Sequence, residues 1–192
     1  MSFSSKNNAL IVIDFINDIV HKEGKIPSCA DYVERYNVIE NVNRAIKNAR
    51  MNRHPVIHVK VGFTESYSEV FEGSPVFGAA KKHGALKLGK WGTAFHSQVD
   101  VDNSDYVVVK HRISAFYGTD LEIFLRTNKI EQVMLCGVST NMAVELTARE
   151  AHDRDYLVEI VEDACGAHTK ELHDISIKVL SSFSKIINTI EQ

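Results

Sequence analysis

The feature that most constrains the fold is a series of short apolar runs that alternate with longer helical patterns. The run 9–13 is apolar throughout, which is typical of a strand buried on both faces in a parallel sheet. Further strands are predicted at 56–61, 106–109, 132–136, 157–161 and 185–187. Helices are predicted at 32–51, 118–128, 140–153 and 170–183. This alternation predicts a three-layer α/β fold with a mostly parallel sheet.

Composition indicates an ordinary globular chain. Its 192 residues are 44% hydrophobic, and no repeat or linker divides them, so 1–192 is predicted to be a single domain. The net charge of −3 without a basic block gives no reason to expect nucleic acid or a membrane as partner. The polar segment 1–8 lacks the apolar core of a signal peptide. No apolar run approaches the roughly 20 residues of a membrane span. We therefore expect a cytoplasmic protein.

Polar residues follow three of the predicted strands. Asp14 ends the first strand, Lys110 ends the third, and the turn 137–141 follows the fourth. Ligands of parallel sheets bind beyond the carboxyl ends of the strands, so these features are expected to share one edge. A partly desolvated carboxyl beside an ammonium can act as an acid or base near neutral pH. Alternatively, Asp14 caps a turn and Lys110 only extends to solvent.

The turn 137–141 is composed of small and polar residues and leads into a helix. The first N–H groups of a helix, with its dipole, can hold an oxyanion or a carboxylate. Ser139 and Thr140 also suit a plain helix N-cap, which is compatible with such a site.

Four segments carry a family resemblance: Ile11–Asp18, Lys110–Leu121, Gly137–Arg149 and Val161–Ala164. In order and spacing they resemble the motifs of isochorismatase-like hydrolases, a family of the cysteine hydrolase superfamily. The resemblance implies a six-stranded, Rossmann-like sheet and a hydrolase of a small-molecule substrate. It also implies homodimers or larger homo-oligomers. No cofactor is expected.

In the amidase branch of this family, the resemblance implies catalysis by an Asp, a Lys and a Cys. The Asp takes the thiol proton, the Lys stabilises the charged pair, and the Cys attacks a carbonyl. Asp14 and Lys110 match the first two, but the nucleophile position is Ala143. Main-chain N–H groups of the turn would bind the oxyanion, with a cis peptide expected at Val138–Ser139. The turn residues predicted to form this site are Val138, Ser139, Asn141 and Met142.

Three explanations of Ala143 are open. The chain can belong to the branch of true isochorismatases, which it resembles in keeping the Asp and Lys and having a small residue at the cysteine position. There, Asp14 would protonate the carbon of a vinyl ether, and no thiol would be needed. Alternatively, Ala143 is an engineered replacement of an amidase's cysteine, or the protein only binds a small molecule. The first is our working interpretation.

The three cysteines offer no clear substitute for the missing nucleophile. Cys136 is predicted at the end of a buried strand, Cys165 after the fifth strand, and Cys29 in an early loop. Their odd number and irregular spacing also disfavour disulfides and a CxxC zinc site.

Aromatic residues near the expected edge are candidates for the substrate pocket. The segment 62–105 holds six of the ten glycines and the only tryptophan, and irregular segments this long are usually functional. Trp91 could close over a ligand or pack within its own loop. The predicted pocket residues are Phe15, Trp91, Phe116 and Tyr117.

A dicarboxylate such as isochorismate requires cations in the pocket. Those available in the sequence are Arg112, Lys60, Lys87 and Lys90. The segment 62–67 lacks the Asp-x-His signature of the metal site in the family's nicotinamidases, and the histidines form no helical pair with an acidic partner. No metal site is predicted.

Overall fold

The central sheet follows from the apolar runs. The computed structural model describes residues 7–189, and its six strands pair side by side in parallel in the order β3-β2-β1-β4-β5-β6. The predicted α/β class is confirmed. The strands are β1 (Asn8–Ile13), β2 (Val56–Val61), β3 (Tyr106–Lys110), β4 (Gln132–Val138), β5 (Leu157–Gly166) and β6 (Lys185–Ile187).

Helices cover both faces of the sheet. With right-handed crossovers, α3 lies on one face and α5, α6 and α7 lie on the other. No helix in residues 7–189 is long and apolar enough to cross a membrane. The helices are α1 (Asn17–Val20), α2 (Ala30–Arg35), α3 (Val38–Met51), α4 (Gly78–His83), α5 (Leu121–Thr127), α6 (Glu145–Asp153) and α7 (Lys170–Leu180).

Two predicted helices differ from the structure. The helix predicted at 32–51 is divided into α2 and α3, because Asn37 between them adopts a left-handed conformation with φ of 51°. The helix predicted at 140–153 begins with a π-helical turn, Thr140–Val144, before α6. In that turn the N–H groups of Met142 and Val144 both donate to the carbonyl of Ser139, at 3.1 and 3.2 Å.

The segment 62–105 has a small core of its own. Phe63 and Leu86 are buried within it beside Ile16 and Val61. The Asp18 carboxylate accepts hydrogen bonds from the N–H groups of Lys25 and Leu86, at 3.1 and 2.7 Å, which ties the segment to the start of the chain. This packing holds part of the segment over the carboxyl ends of the strands.

Gly137 allows β4 to lie close to the end of β1. It pairs with Ile13 and has a φ of +149°, and a Cβ placed on it would lie 2.6 Å from the Ile13 carbonyl oxygen. That oxygen belongs to backbone, which cannot move aside cheaply. A glycine is therefore required next to the residue that precedes Asp14.

We predict that Gly137→Ala destabilises the protein by about 2 kcal/mol or more, because the new methyl overlaps the β1 backbone. Urea unfolding followed by circular dichroism measures the change. Gly118→Ala is the matched control, since Gly118 also has a positive φ but no atom within 4 Å of the added Cβ. Gly118→Ala should lower the free energy of unfolding by only about 1 kcal/mol. Equal losses in the two variants would contradict the overlap.

Candidate active site

Asp14 is the first residue after β1 and is held by the neighbouring strand β2. Its N–H donates to the Val59 carbonyl at 2.8 Å, and its φ of 60° turns the chain sharply at the strand end. Its Oδ1 accepts from the Val61 N–H at 2.8 Å. The carboxyl is therefore fixed at the edge of the sheet, as the sequence predicted.

Lys110 ends β3 and pairs with Asp14. Its Nζ lies 2.8 Å from Asp14 Oδ2, and both side chains are buried. Nζ also donates to the Arg112 carbonyl at 3.1 Å. Burial raises the pKa of Asp14, and this effect exceeds the opposing effects of the Lys110 charge and of the two hydrogen bonds to the carboxylate.

The turn after β4 lies on the other side of this pair. The Val138–Ser139 peptide bond is cis, as the family resemblance implied. The turn is supported by α7, where His173 Nδ1 lies 2.9 Å from Thr140 Oγ1 and Ser176 Oγ donates to the Thr140 carbonyl at 3.2 Å. The Met142 N–H donates to the Ser139 carbonyl, so it is not free for a ligand.

The Asp14–Lys110 pair and part of the turn line a cavity of about 310 Å³. Asp14, Lys110 and Ala143 all contribute to its wall, so the structure brings the three predicted catalytic positions together. Val138, Ser139 and Met142 line it as well, whereas Asn141 does not. The rest of the wall is mainly apolar and comes from Ile19, Ile26, Ser28, Val61, Val76, Phe77, Ala79, Ala80, Leu86 and Ile113.

None of the four predicted pocket aromatics lines this cavity. Phe15 and Phe116 belong to the main hydrophobic core, and the Arg154 guanidinium covers the Phe116 ring. Trp91 is half exposed and packs edge-on against His21. Tyr117 lines a second cavity next to the first. The aromatic residue on the wall is Phe77, from the segment 62–105.

All three cysteines are buried, and none lines the cavity. Cys29 lies behind it, with Sγ 3.2 Å from Ser139 Oγ. Burial raises the pKa of the Cys29 thiol. Burial likewise raises the pKa of Cys136 well above its usual range and that of Cys165 to about 12.

The candidate cations are also placed outside the cavity. Lys87 and Lys90 pair with Glu65, and the Lys60 ammonium lies over the Phe95 ring. Arg112 lines the second cavity. Within residues 7–189, no three or more His, Cys, Asp or Glu side chains are grouped so that they could hold a metal ion.

Comparison with known proteins identifies the family. A family model described as the isochorismatase domain matches residues 8–191. The chain belongs to the isochorismatase family. It is 35% identical over 195 aligned positions to YecD, an isochorismatase family protein of Escherichia coli O157:H7, with 100% of this chain and 97% of YecD covered.

Other relatives of this isochorismatase-family chain include amidohydrolases. The ureidoacrylate amidohydrolase RutB of Yersinia enterocolitica is 30% identical over 180 positions, covering 85% of this chain and 77% of RutB. The crystal structure of an isochorismatase family protein from Desulfovibrio vulgaris has a TM-score of 0.86 at 22% identity, with 97% and 96% of the two chains covered, which shows the shared fold. The chain is an isochorismatase-family hydrolase that acts on a small molecule.

We predict that Lys110→Met destabilises the protein by about 3–5 kcal/mol at pH 7, because the Asp14 carboxylate would be left buried without its partner. The loss should shrink as the pH falls, since protonation removes the unpaired charge. Urea unfolding at several pH values measures both effects. Lys185→Met, which breaks the more exposed pair with Glu159, should cost about 1 kcal/mol or less. If Lys110→Met also lowered the free energy of unfolding by only about 1 kcal/mol or less, the Asp14–Lys110 pair would not have the proposed structural importance.

Proposed function

We propose that this isochorismatase-family protein hydrolyses a vinyl ether, with Asp14 as the proton donor and without a covalent thiol intermediate. The observation that carries the proposal is the pairing of two features in one cavity. The carboxyl of Asp14, whose pKa is raised by burial, faces the same space as the methyl group of Ala143. An acid is thus present where a thiol nucleophile is not.

The reaction needs one proton and one water. The Asp14 carboxyl donates its proton to the terminal carbon of the vinyl ether, and the positive charge develops on the carbon bonded to the ether oxygen. Water adds there and loses a proton, which returns to Asp14. The hemiketal then breaks its C–O bond to the alkoxy group, whose oxygen takes up the proton lost by the hemiketal hydroxyl and leaves as the alcohol. For an enolpyruvyl ether, the products are pyruvate and the alcohol.

Lys110 controls the charge of the acid. When Asp14 has given up its proton, the ammonium at 2.8 Å stabilises the carboxylate that remains. The Val61 N–H does the same from the other oxygen. The apolar wall limits competing water around the developing cation, which strengthens its attraction to the carboxylate.

The placement of the thiols supports a mechanism without sulfur. Cys29, whose Sγ lies 3.2 Å from Ser139 Oγ in the turn, is fully buried, and its pKa is raised rather than lowered. A nucleophilic cysteine requires the opposite, a lowered pKa and access to the substrate. Ala143 itself offers no nucleophile.

Hydrolysis of a C–N bond is the second candidate function, favoured by the likeness to RutB. In that case the Asp14 carboxylate would act as a base that activates water. The two functions need opposite protonation states of the same residue, so pH separates them. A protein that only binds its ligand would show neither activity.

We predict that the protein releases pyruvate from isochorismate or from 2-(benzyloxy)acrylate. kcat/KM should fall as the pH rises through the pKa of Asp14, because the protonated carboxyl is the active form. Asp14→Asn should lower kcat/KM by about 100-fold or more, since an amide cannot donate that proton. A coupled pyruvate assay measures both, and circular dichroism checks that the variant is folded.

The controls address the thiol and the amide reaction. Cys29→Ala and Ala143→Gly should keep kcat/KM within about five-fold, because neither side chain takes part in the chemistry. Ureidoacrylate, N-carbamoylsarcosine and nicotinamide are assayed for ammonia. Release of ammonia without any pyruvate, with a rate that falls as the pH falls, would replace the proposal with the amidohydrolase function. Loss of pyruvate release in a folded Cys29→Ala variant would also contradict the proposed vinyl-ether mechanism.

A further inference from the structure

The second cavity lies beside the first and has a volume of about 330 Å³. The two cavities share three wall residues, Val76, Phe77 and Ile113. They are also linked through the backbone, because the Arg112 carbonyl accepts from Lys110 Nζ at 3.1 Å while the Arg112 side chain lines the second cavity. Arg112 therefore connects the second cavity to the Asp14–Lys110 pair.

The wall of the second cavity is mostly apolar, and it is accessible. Phe71 and Tyr117 are 73% and 64% exposed, and Leu146 lines the same space. Large apolar side chains exposed together mark a binding surface more often than scattered ones do. Aromatic faces of this kind suit a planar or apolar part of a ligand.

Arg112 supplies an uncompensated positive charge in this cavity. Its Nη1 donates to the carbonyls of Glu69 and His111, at 3.0 and 2.6 Å, which fixes one side of the guanidinium. Among residues 7–189 it pairs with no carboxylate. The acidic residue of the same cavity, Glu150, pairs instead with Arg154 at 3.0 Å. A held guanidinium without an acidic partner is well suited to bind a carboxylate.

We propose that the two cavities form one bipartite substrate site, in which Arg112 binds a carboxylate on the part of the substrate remote from the reaction. The substrate class is then an elongated molecule that carries a carboxylate at the end remote from its reacting group. Its reacting group lies above Asp14, an apolar or aromatic portion crosses Val76, Phe77 and Ile113, and its carboxylate ends at Arg112. This inference rests on the proposed function for the reacting end only.

The first test measures binding of 4-phenylbutyrate and of its neutral analogue 4-phenylbutan-1-ol by isothermal titration calorimetry. Arg112→Gln should lower the affinity for 4-phenylbutyrate by about 10-fold or more. It should change the affinity for the alcohol by no more than about two-fold. Arg35→Gln is the matched control, because Arg35 lines neither cavity and lies over the Tyr36 ring. It should change neither affinity. Equal loss of both probes in Arg112→Gln, or no loss, would overturn the proposal.

The second test asks whether the cavities act together. Ala79 lines only the cavity above Asp14, so Ala79→Leu narrows that part of the site. This substitution should lower the affinity for 4-phenylbutyrate by about five-fold or more. It should change the affinity for the shorter benzoate by no more than about two-fold. Unchanged binding of the longer acid would show that the cavities are separate sites, which overturns the proposal.

The third test separates this inference from the proposed function and from self-association. The titrations are repeated with Asp14→Asn, which should bind 4-phenylbutyrate even though turnover is lost. Failure of turnover on vinyl ethers with intact Arg112-dependent binding would refute only the proposed function. If the wild type binds neither probe, the bipartite site is wrong. A lower molar mass of Phe71→Ser in sedimentation equilibrium would then show that the surface is an interface between copies.

Discussion

The buried ion pair of Asp14 and Lys110 is the interaction on which the rest of the site depends. Each charge is expensive to remove from water, and each is compensated by specific neighbours. The Asp14 carboxylate accepts a hydrogen bond from the Val61 N–H and pairs with the Lys110 ammonium. Lys110 also donates to the Arg112 carbonyl. These contacts join the ends of β1, β2 and β3, so the pair that we propose as the source of the acid also fixes the edge of the sheet.

The topology determines what faces this pair. The strand order reverses between β1 and β4, which in open parallel sheets creates a crevice beyond the strand ends. Gly137 allows β4 to approach closely there, and the turn that follows presents Ala143 to the cavity. With a methyl group in that position, the proposed chemistry depends on how burial sets the protonation of Asp14 rather than on activating sulfur.

Much of the site could be predicted because it depends on local rules. Asp14, Lys110 and the turn at 138–143 meet because parallel strands end on the same edge. The placement of the aromatics could not be predicted, since closeness to a motif in sequence does not fix the direction of a side chain: Phe15 follows Asp14 directly but packs into the core. The wall contributed by Phe77 depends on the long-range packing of 62–105, for which the sequence holds no periodic signal. The break at Asn37 likewise depends on one residue's left-handed conformation.

In the proposed mechanism, burial keeps the Asp14 carboxyl protonated at a higher pH than an ordinary aspartate. The most direct measurement is a pH titration of its carboxyl carbon by ¹³C NMR in aspartate-labelled protein, with Asp14→Asn identifying the signal. We expect a midpoint above 3.8, the value of the unperturbed group. A midpoint at or below 3.8 would mean that the Lys110 charge outweighs burial, and would contradict the role of Asp14 as an acid.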